Sequence, residues 1–105
     1  MAKKITNYRY DVINPQTEEK EIESSAKVIA NLLLLSAGAN NLRGIDQFKR
    51  YHRFFKIIRE AEKTGFIELE DKDHVYIKDL ITKEIPSSWG ANSNIYKVVE
   101  NILNA

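Results

Sequence analysis

The chain has 105 residues, with 16 Lys and Arg against 15 Asp and Glu, a net charge of +1 and 43% hydrophobic residues. This length suits a single domain over residues 1–105, and the composition excludes both a disordered chain and a strongly basic nucleic-acid coat. The sequence contains no cysteine, which excludes disulfides, thiolate metal sites and cysteine nucleophiles and predicts a reducing, cytoplasmic setting.

The sequence predicts no association with a membrane. Its longest apolar run, residues 28–35, is interrupted by Asn31. A membrane-spanning helix needs about 20 apolar residues. The start, MAKKITNY, is basic but has no apolar segment behind it, so we do not expect a signal peptide.

The first predicted unit is a β-hairpin. In YRYDVI, residues 8–13, Tyr8, Tyr10 and Val12 alternate with polar residues, as in a strand with one buried face. Residues 14–17, Asn-Pro-Gln-Thr, predict a turn, and residues 20–23 predict the second strand. Because two strands alone are only marginally stable in water, this hairpin is expected to pack on helices.

A buried helix is predicted for residues 26–36. Ser24 or Ser25 can cap its start, and residues 37–41 are expected to end it before a loop that runs to Gly44. Apolar residues lie on more than one side of this helix, which indicates a position in the core. They are Val28, Ile29, Leu32, Leu33 and Leu35.

The segment FKRYHRFFK, residues 48–56, lies in a second predicted helix over residues 45–64, which Gly65 is expected to end. An apolar stripe at three- and four-residue steps predicts that the aromatic side chains point mostly inward. The stripe consists of Ile45, Phe48, Tyr51, Phe55, Ile58 and Ala61. A basic ridge on another side, the candidate nucleic-acid surface, consists of Lys49, Arg50, Arg53 and Lys56.

The C-terminal half predicts one short strand and two helices. The strand is FIELE, residues 66–70, and a helix over residues 74–84 follows, capped by Asp71 or Asp73. A strand is the alternative for HVYIK, within that helix. Pro86 ends the element, residues 87–91 form a loop, and the last helix covers residues 94–103. The predicted class is therefore α+β, with three or four helices.

An acidic run followed by histidine is the best candidate for metal binding or acid–base chemistry. It comprises Glu68, Glu70, Asp71, Asp73 and His74. The run does not fit the calcium-loop pattern, and solvated glutamates with a capping aspartate are the favoured interpretation. No serine lies in a Gly-x-Ser-x-Gly motif, and only His52 and His74 could serve a hydrolase as general base. We therefore expect neither an enzyme nor a cofactor.

A protein interface is the preferred site hypothesis. Trp89 lies in a predicted loop, and the last helix is amphipathic; both features are common at interfaces between proteins. The predicted partner-binding residues are Trp89, Ile95, Val98, Val99 and Ile102. Either a protein partner or a second copy of the chain could bind there, because small cores often gain stability by association.

The arrangement of FIELEDKDHVYIKDLI, Pro86, Trp89 and the final apolar helix, together with YRYDVINPQT, resembles small accessory proteins encoded by tailed bacteriophages. This resemblance implies a phage-derived interaction protein in the host cytoplasm. It implies one of two roles, a virion assembly factor or an inhibitor of a host protein. Nucleic-acid binding through the basic ridge is the alternative function.

Overall fold

The computed structural model describes residues 3–13, 15–40 and 43–105. The strands are β1 (Lys3–Thr6), β2 (Arg9–Ile13), β3 (Lys20–Ser24) and β4 (Phe66–Leu69). The helices are α1 (Ser25–Asn40), α2 (Ile45–Thr64), α3 (Asp71–Glu84) and α4 (Ser93–Leu103), with a short 3-10 helix over Ser87–Ala91 where a loop was predicted. This arrangement confirms the predicted α+β class.

The predicted hairpin is formed by β2 and β3, which pair antiparallel with Tyr10 opposite Glu23. Tyr10 is buried, as the alternating pattern predicts. The turn residues 15–17 connect the two strands, while the predicted turn residue Asn14 lies outside the described residues. The hairpin packs on the start of α1 through β3, so it gains the helical support that two strands require.

A second two-stranded sheet joins the two halves of the chain. In it β1 pairs antiparallel with β4, from Lys3 opposite Leu69 to Thr6 opposite Phe66. Strand β4 confirms the short strand predicted after Gly65. Strand β1 was not predicted, because KKIT has a single large apolar residue, Ile5, and its pairing partner is distant in sequence.

Helix α1 lies at the centre of the fold and contacts each of the other three α-helices. Ser24 caps it, since its Oγ accepts a hydrogen bond from the Lys27 backbone N–H at 3.3 Å. The prediction that residues 37–41 end the helix was wrong for the described part, because α1 continues to Asn40. Leu35 is exposed rather than part of the core, and Leu34 is exposed beside it.

Helix α2 has the predicted bounds but a different buried face. Its core residues are Phe54, Ile58 and Ala61, whereas Ile45 and Phe48 are exposed. The predicted stripe was therefore wrong at its N-terminal end, because α1 and β4 pack against α2 and Tyr76 of α3 stacks on the ring of Phe54. Gly65 ends the helix as predicted, in the left-handed conformation with φ 85°.

The segment HVYIK is helical, which resolves the alternative of a strand. Helix α3 begins at Asp71, and the N-cap is Glu70 rather than the predicted Asp71 or Asp73. Helix α4 is capped by Asn92, whose Oδ1 accepts hydrogen bonds from the backbone N–H groups of Asn94 and Ile95.

None of the helices in the described ranges combines the length and apolar character needed to cross a membrane.

Candidate functional site

A concave surface of about 560 Å³ lies where the C-terminal part of α1 approaches the N-terminal part of α2. We call it the aromatic groove. Its lining residues are Ala37, Arg43, Gly44, Gln47, Phe48, Tyr51, His52 and Phe55. Phe48 is 71% exposed, and nearby Ile45 on the same helix is 62% exposed. Large apolar side chains are therefore presented to solvent beside a cavity.

Helical spacing brings the three groove aromatics together. Phe48, Tyr51 and Phe55 follow one another at three- and four-residue steps, which align side chains along one side of α2. The rings of Tyr51 and Phe55 have centroids 6.5 Å apart. Half-buried Tyr51 and Phe55 form the floor of the groove, and Phe48 stands at its exposed edge.

Tyr51 also fixes the groove to α1. Its hydroxyl donates a hydrogen bond to the backbone carbonyl of Leu33 at 3.1 Å. Burial of the phenol, followed by the nearby phenol of Tyr76, raises the pKa of Tyr51 to about 12. At neutral pH the hydroxyl therefore keeps the proton that it donates to the carbonyl of Leu33. The floor of the groove is held by a contact between helices, as a preformed site requires.

The structure divides the predicted basic ridge among different contacts. Arg53 forms an ion pair with Asp73 at 2.5 Å, and the Asp73 side chain is only 3% exposed. The guanidinium of Arg50 lies 4.7 Å from the ring centroid of Tyr76. Lys49, like both arginines, lines a second groove of about 700 Å³ between α2 and α3. Lys56 lines a separate cavity of about 310 Å³. Two of the four predicted phosphate-binding cations thus make contacts within the chain.

The side chains of the acidic run do not gather into one site. Glu68 and Glu70 are exposed, while Asp73 is buried against Arg53. His74 is also buried, and its Nε2 lies 2.8 Å from the carbonyl of Ile102, to which it donates in the matching tautomer. Over the described ranges, no three metal-ligating side chains gather in one place. In this structure Asp73 and His74 connect helices.

The predicted partner-binding residues fall into two groups. Val98 and Ile102 are buried in the core of the chain itself, so they are not accessible to a partner. Trp89, Ile95 and Val99 are half-buried and line one shallow cavity of about 190 Å³ together with exposed Tyr96. A small accessible surface therefore exists around Trp89 and the exposed side of α4. The remaining predicted residues of α4 pack into the core of the domain.

Sequence reasoning missed the aromatic groove because it assigned Phe48 to the core. Two apolar stripes can be drawn through α2 that share Ile58 and Ala61, but one reaches them through Phe55 and the other through Phe54. The second stripe continues to Ile58 and Ala61 at four- and three-residue steps. Comparing the two would have indicated that the aromatics of this helix cannot all face inward.

We compared the chain with models of protein families, with curated proteins and with solved structures, and none of the three comparisons finds a match.

Proposed function

We propose that this chain is a non-enzymatic interaction protein that binds a protein partner through the aromatic groove. The observation that carries the proposal is the exposure of Phe48 at the edge of a cavity whose floor is formed by Tyr51 and Phe55. Interfaces between proteins are enriched in aromatic residues, and their strongest contacts come from a few such side chains that become fully buried.

The energetics of exposure support this assignment. Burying apolar surface contributes about 25 cal/mol per Å², so an exposed phenylalanine forgoes stabilisation that a partner could supply. Leu34 and Leu35 on α1 add further exposed aliphatic surface near the same end of the helix pair. Because Leu34 lies three residues before the groove residue Ala37, the two share one side of α1.

The contacts of the candidate acid–base residues agree with a role that needs no catalysis. Asp73 forms an ion pair with Arg53, and His74 forms a hydrogen bond with the carbonyl of Ile102 near the end of α4. The resemblance to accessory proteins of tailed bacteriophages supplies two biological settings, assembly of the virion or inhibition of a host protein. In both settings the protein would act by binding to a surface of its partner, which suits a small cytoplasmic protein.

A peptide display selection tests this proposal. A random library of peptides of about 16 residues, long enough for four helical turns, is selected on the immobilised wild-type protein. Enriched peptides are then measured against Phe48→Ser and against the matched control Tyr96→Ser, which removes an exposed aromatic from α4. We expect binding to weaken at least about tenfold in Phe48→Ser and to stay within about twofold in the control.

The opposite pattern would assign the interface to another surface. Peptides that lose binding in Tyr96→Ser but not in Phe48→Ser would place it at Trp89 and the exposed side of α4. A selection that enriches no binder dependent on either residue would reject the protein-binding function.

Nucleic-acid binding is the second candidate, because Lys49, Arg50 and Arg53 line one groove together with Lys72. Asp46, Asp73 and Asp79 line the same groove, and their carboxylates oppose a phosphate backbone. With a net charge of +1, the chain lacks the basic excess of a dedicated nucleic-acid domain. We therefore rank this function below protein binding.

A further inference from the structure

We infer that the occupant of the aromatic groove is an acidic amphipathic helix of a partner protein. This inference rests on the proposed function and adds the chemistry of the partner. It follows from the charge pattern of the exposed side of α2, from the shape of the groove, and from the charges that a second copy of the chain would bring.

The exposed side of α2 combines apolar and basic residues in one narrow arc. At 3.6 residues per turn, its members lie within about 100° of one another around the helix. They are Ile45, Phe48, Lys49, His52, Lys56, Arg59 and Lys63, and all are exposed. No carboxylate lies within this arc; Glu60 borders it and Asp46 lies farther round, towards α3.

In the described part of the chain, carboxylates lie near two cations of this arc but are not ion-paired with them: Asp46 and Asp79 line a groove with Lys49, and Glu60 and Glu68 line a cavity with Lys56. Two ion pairs involve residues of α2: Glu62 pairs with Arg9 of β2, and Arg53 pairs with Asp73 of α3. Both Glu62 and Arg53 lie outside the arc. Over residues 3–13, 15–40 and 43–105, no ion pair involves Lys49, Lys56 or Arg59. A partner that supplies carboxylates would therefore gain attraction without breaking an existing pair.

The shape of the groove favours a helical partner. The groove runs along α2 and is bordered by Ala37 of α1 and by Arg43 and Gly44, which precede α2. An amphipathic helix placed in such a groove buries side chains spaced three and four residues apart. The groove's volume of about 560 Å³ accommodates bulky anchor side chains. The partner helix would place apolar anchors against Phe48 and Phe55 and its acidic residues against Lys49, Lys56 and Arg59.

Two other occupants fit less well. A second copy that pairs through the same surface would bring Lys49, Lys56 and Arg59 towards the same cations of its mate, and like charges disfavour that contact. Single-stranded nucleic acid would gain stacking on Phe48, but the exposed aliphatic Ile45 beside it offers bases neither charge nor stacking. An acidic helix uses both the apolar and the basic residues.

Three synthetic peptides test this inference in titrations followed by amide NMR of the full chain. The first carries leucine and phenylalanine on one helical side and glutamate elsewhere. The second replaces every glutamate by lysine, and the third scrambles the acidic peptide so that its apolar residues no longer share a side. We expect only the first to bind, with shifts centred on Phe48, His52 and Phe55, and to weaken as salt rises from about 0.05 to about 0.5 M.

Adjacent aromatic and lysine residues on two helices provide matched variants. Phe48→Ser and Lys49→Glu change the proposed site, while Tyr96→Ser and Lys97→Glu make the same changes on the exposed side of α4. We expect affinity for the acidic peptide to fall at least about tenfold in Phe48→Ser and about threefold in Lys49→Glu. Both α4 variants should bind as the wild type does.

The outcomes separate this inference from the function on which it rests. Equal binding of the basic peptide, or selected peptides with no acidic bias that still depend on Phe48, would overturn the acidic partner and leave protein binding intact. Tighter binding of oligothymidylate than of the acidic peptide at the groove would overturn both. Loss of binding in the α4 variants alone would reject the groove as the site.

Discussion

Asn7 shows how one buried polar residue fixes several elements. Its Oδ1 accepts a hydrogen bond from the backbone N–H of Ala26 at 3.0 Å, and its Nδ2 donates to the carbonyl of Ala61 at 3.3 Å. Its own backbone N–H donates to the carbonyl of Gly65 at 2.9 Å. The start of α1 and the end of α2 are therefore joined through a single side chain in the short link between β1 and β2.

Replacement of Asn7 by alanine is expected to reduce the free energy of unfolding by about 2 kcal/mol, because it leaves the buried N–H of Ala26 without a partner. Urea denaturation measures this change. The control Asn101→Ala alters an exposed asparagine on α4 and should change stability by less than about 0.5 kcal/mol. Equal effects of the two substitutions would show that the Asn7 contacts contribute nothing specific.

At the scale of elements, α2 shows which signals in a sequence are reliable. Its start after Gly44 and its end at Gly65 follow from local backbone chemistry, and both agree with the prediction. Its buried side depends on where α1, α3 and β4 lie, and here the prediction was wrong for Ile45 and Phe48. The candidate site arises from this difference, since Phe48, which is excluded from the core, lies at the groove edge.

Two glycine-to-alanine substitutions test the helix ends in opposite directions. At Gly65, φ is 85°, so alanine should lower the free energy of unfolding by about 1 kcal/mol through backbone strain alone, because its Cβ meets no atom within 4 Å. At Gly38, inside α1, the added Cβ also meets nothing within 4 Å. There alanine should raise stability by up to about 1 kcal/mol, because it favours the helix.

Thermal unfolding of both variants provides the measurement. If Gly65→Ala were neutral, the left-handed C-cap would not be needed to end α2. If Gly38→Ala were destabilising, the helical extension of α1 beyond the predicted end would be in doubt.

At the scale of the whole molecule, a nearly neutral chain carries its charge unevenly. The net charge is +1, but the arc of α2 that contains Lys56 and Arg59 holds several cations and no carboxylate, with Glu60 at its border and Glu68 of β4 lining a cavity beside Lys56. For the proposed partner, the local charge on α2 is therefore more informative than the net charge of the chain.

This distribution predicts the state of association. Because pairing of two copies through the aromatic groove would oppose like charges, we expect a monomer of 12.1 kDa at about 0.1 M salt. Light scattering coupled to size exclusion measures the mass directly. A stable dimer that dissociates in Phe48→Ser but not in Tyr96→Ser would identify a second copy as the occupant of the groove.

The amino-acid sequence was sufficient to predict the α+β class, the hairpin of β2 and β3, the bounds of α2, the position of α4 to within one residue, and the C-cap at Gly65. These features depend on hydrophobic periodicity and backbone preferences within a few residues. Three features became visible only in the fold: the pairing of β1 with β4, the burial of Val98 and Ile102, and the ion pair of Arg53 with Asp73. It also decided the exposure of Phe48, because which side of a helix is buried depends on neighbours from distant parts of the chain, and a local pattern does not contain that information.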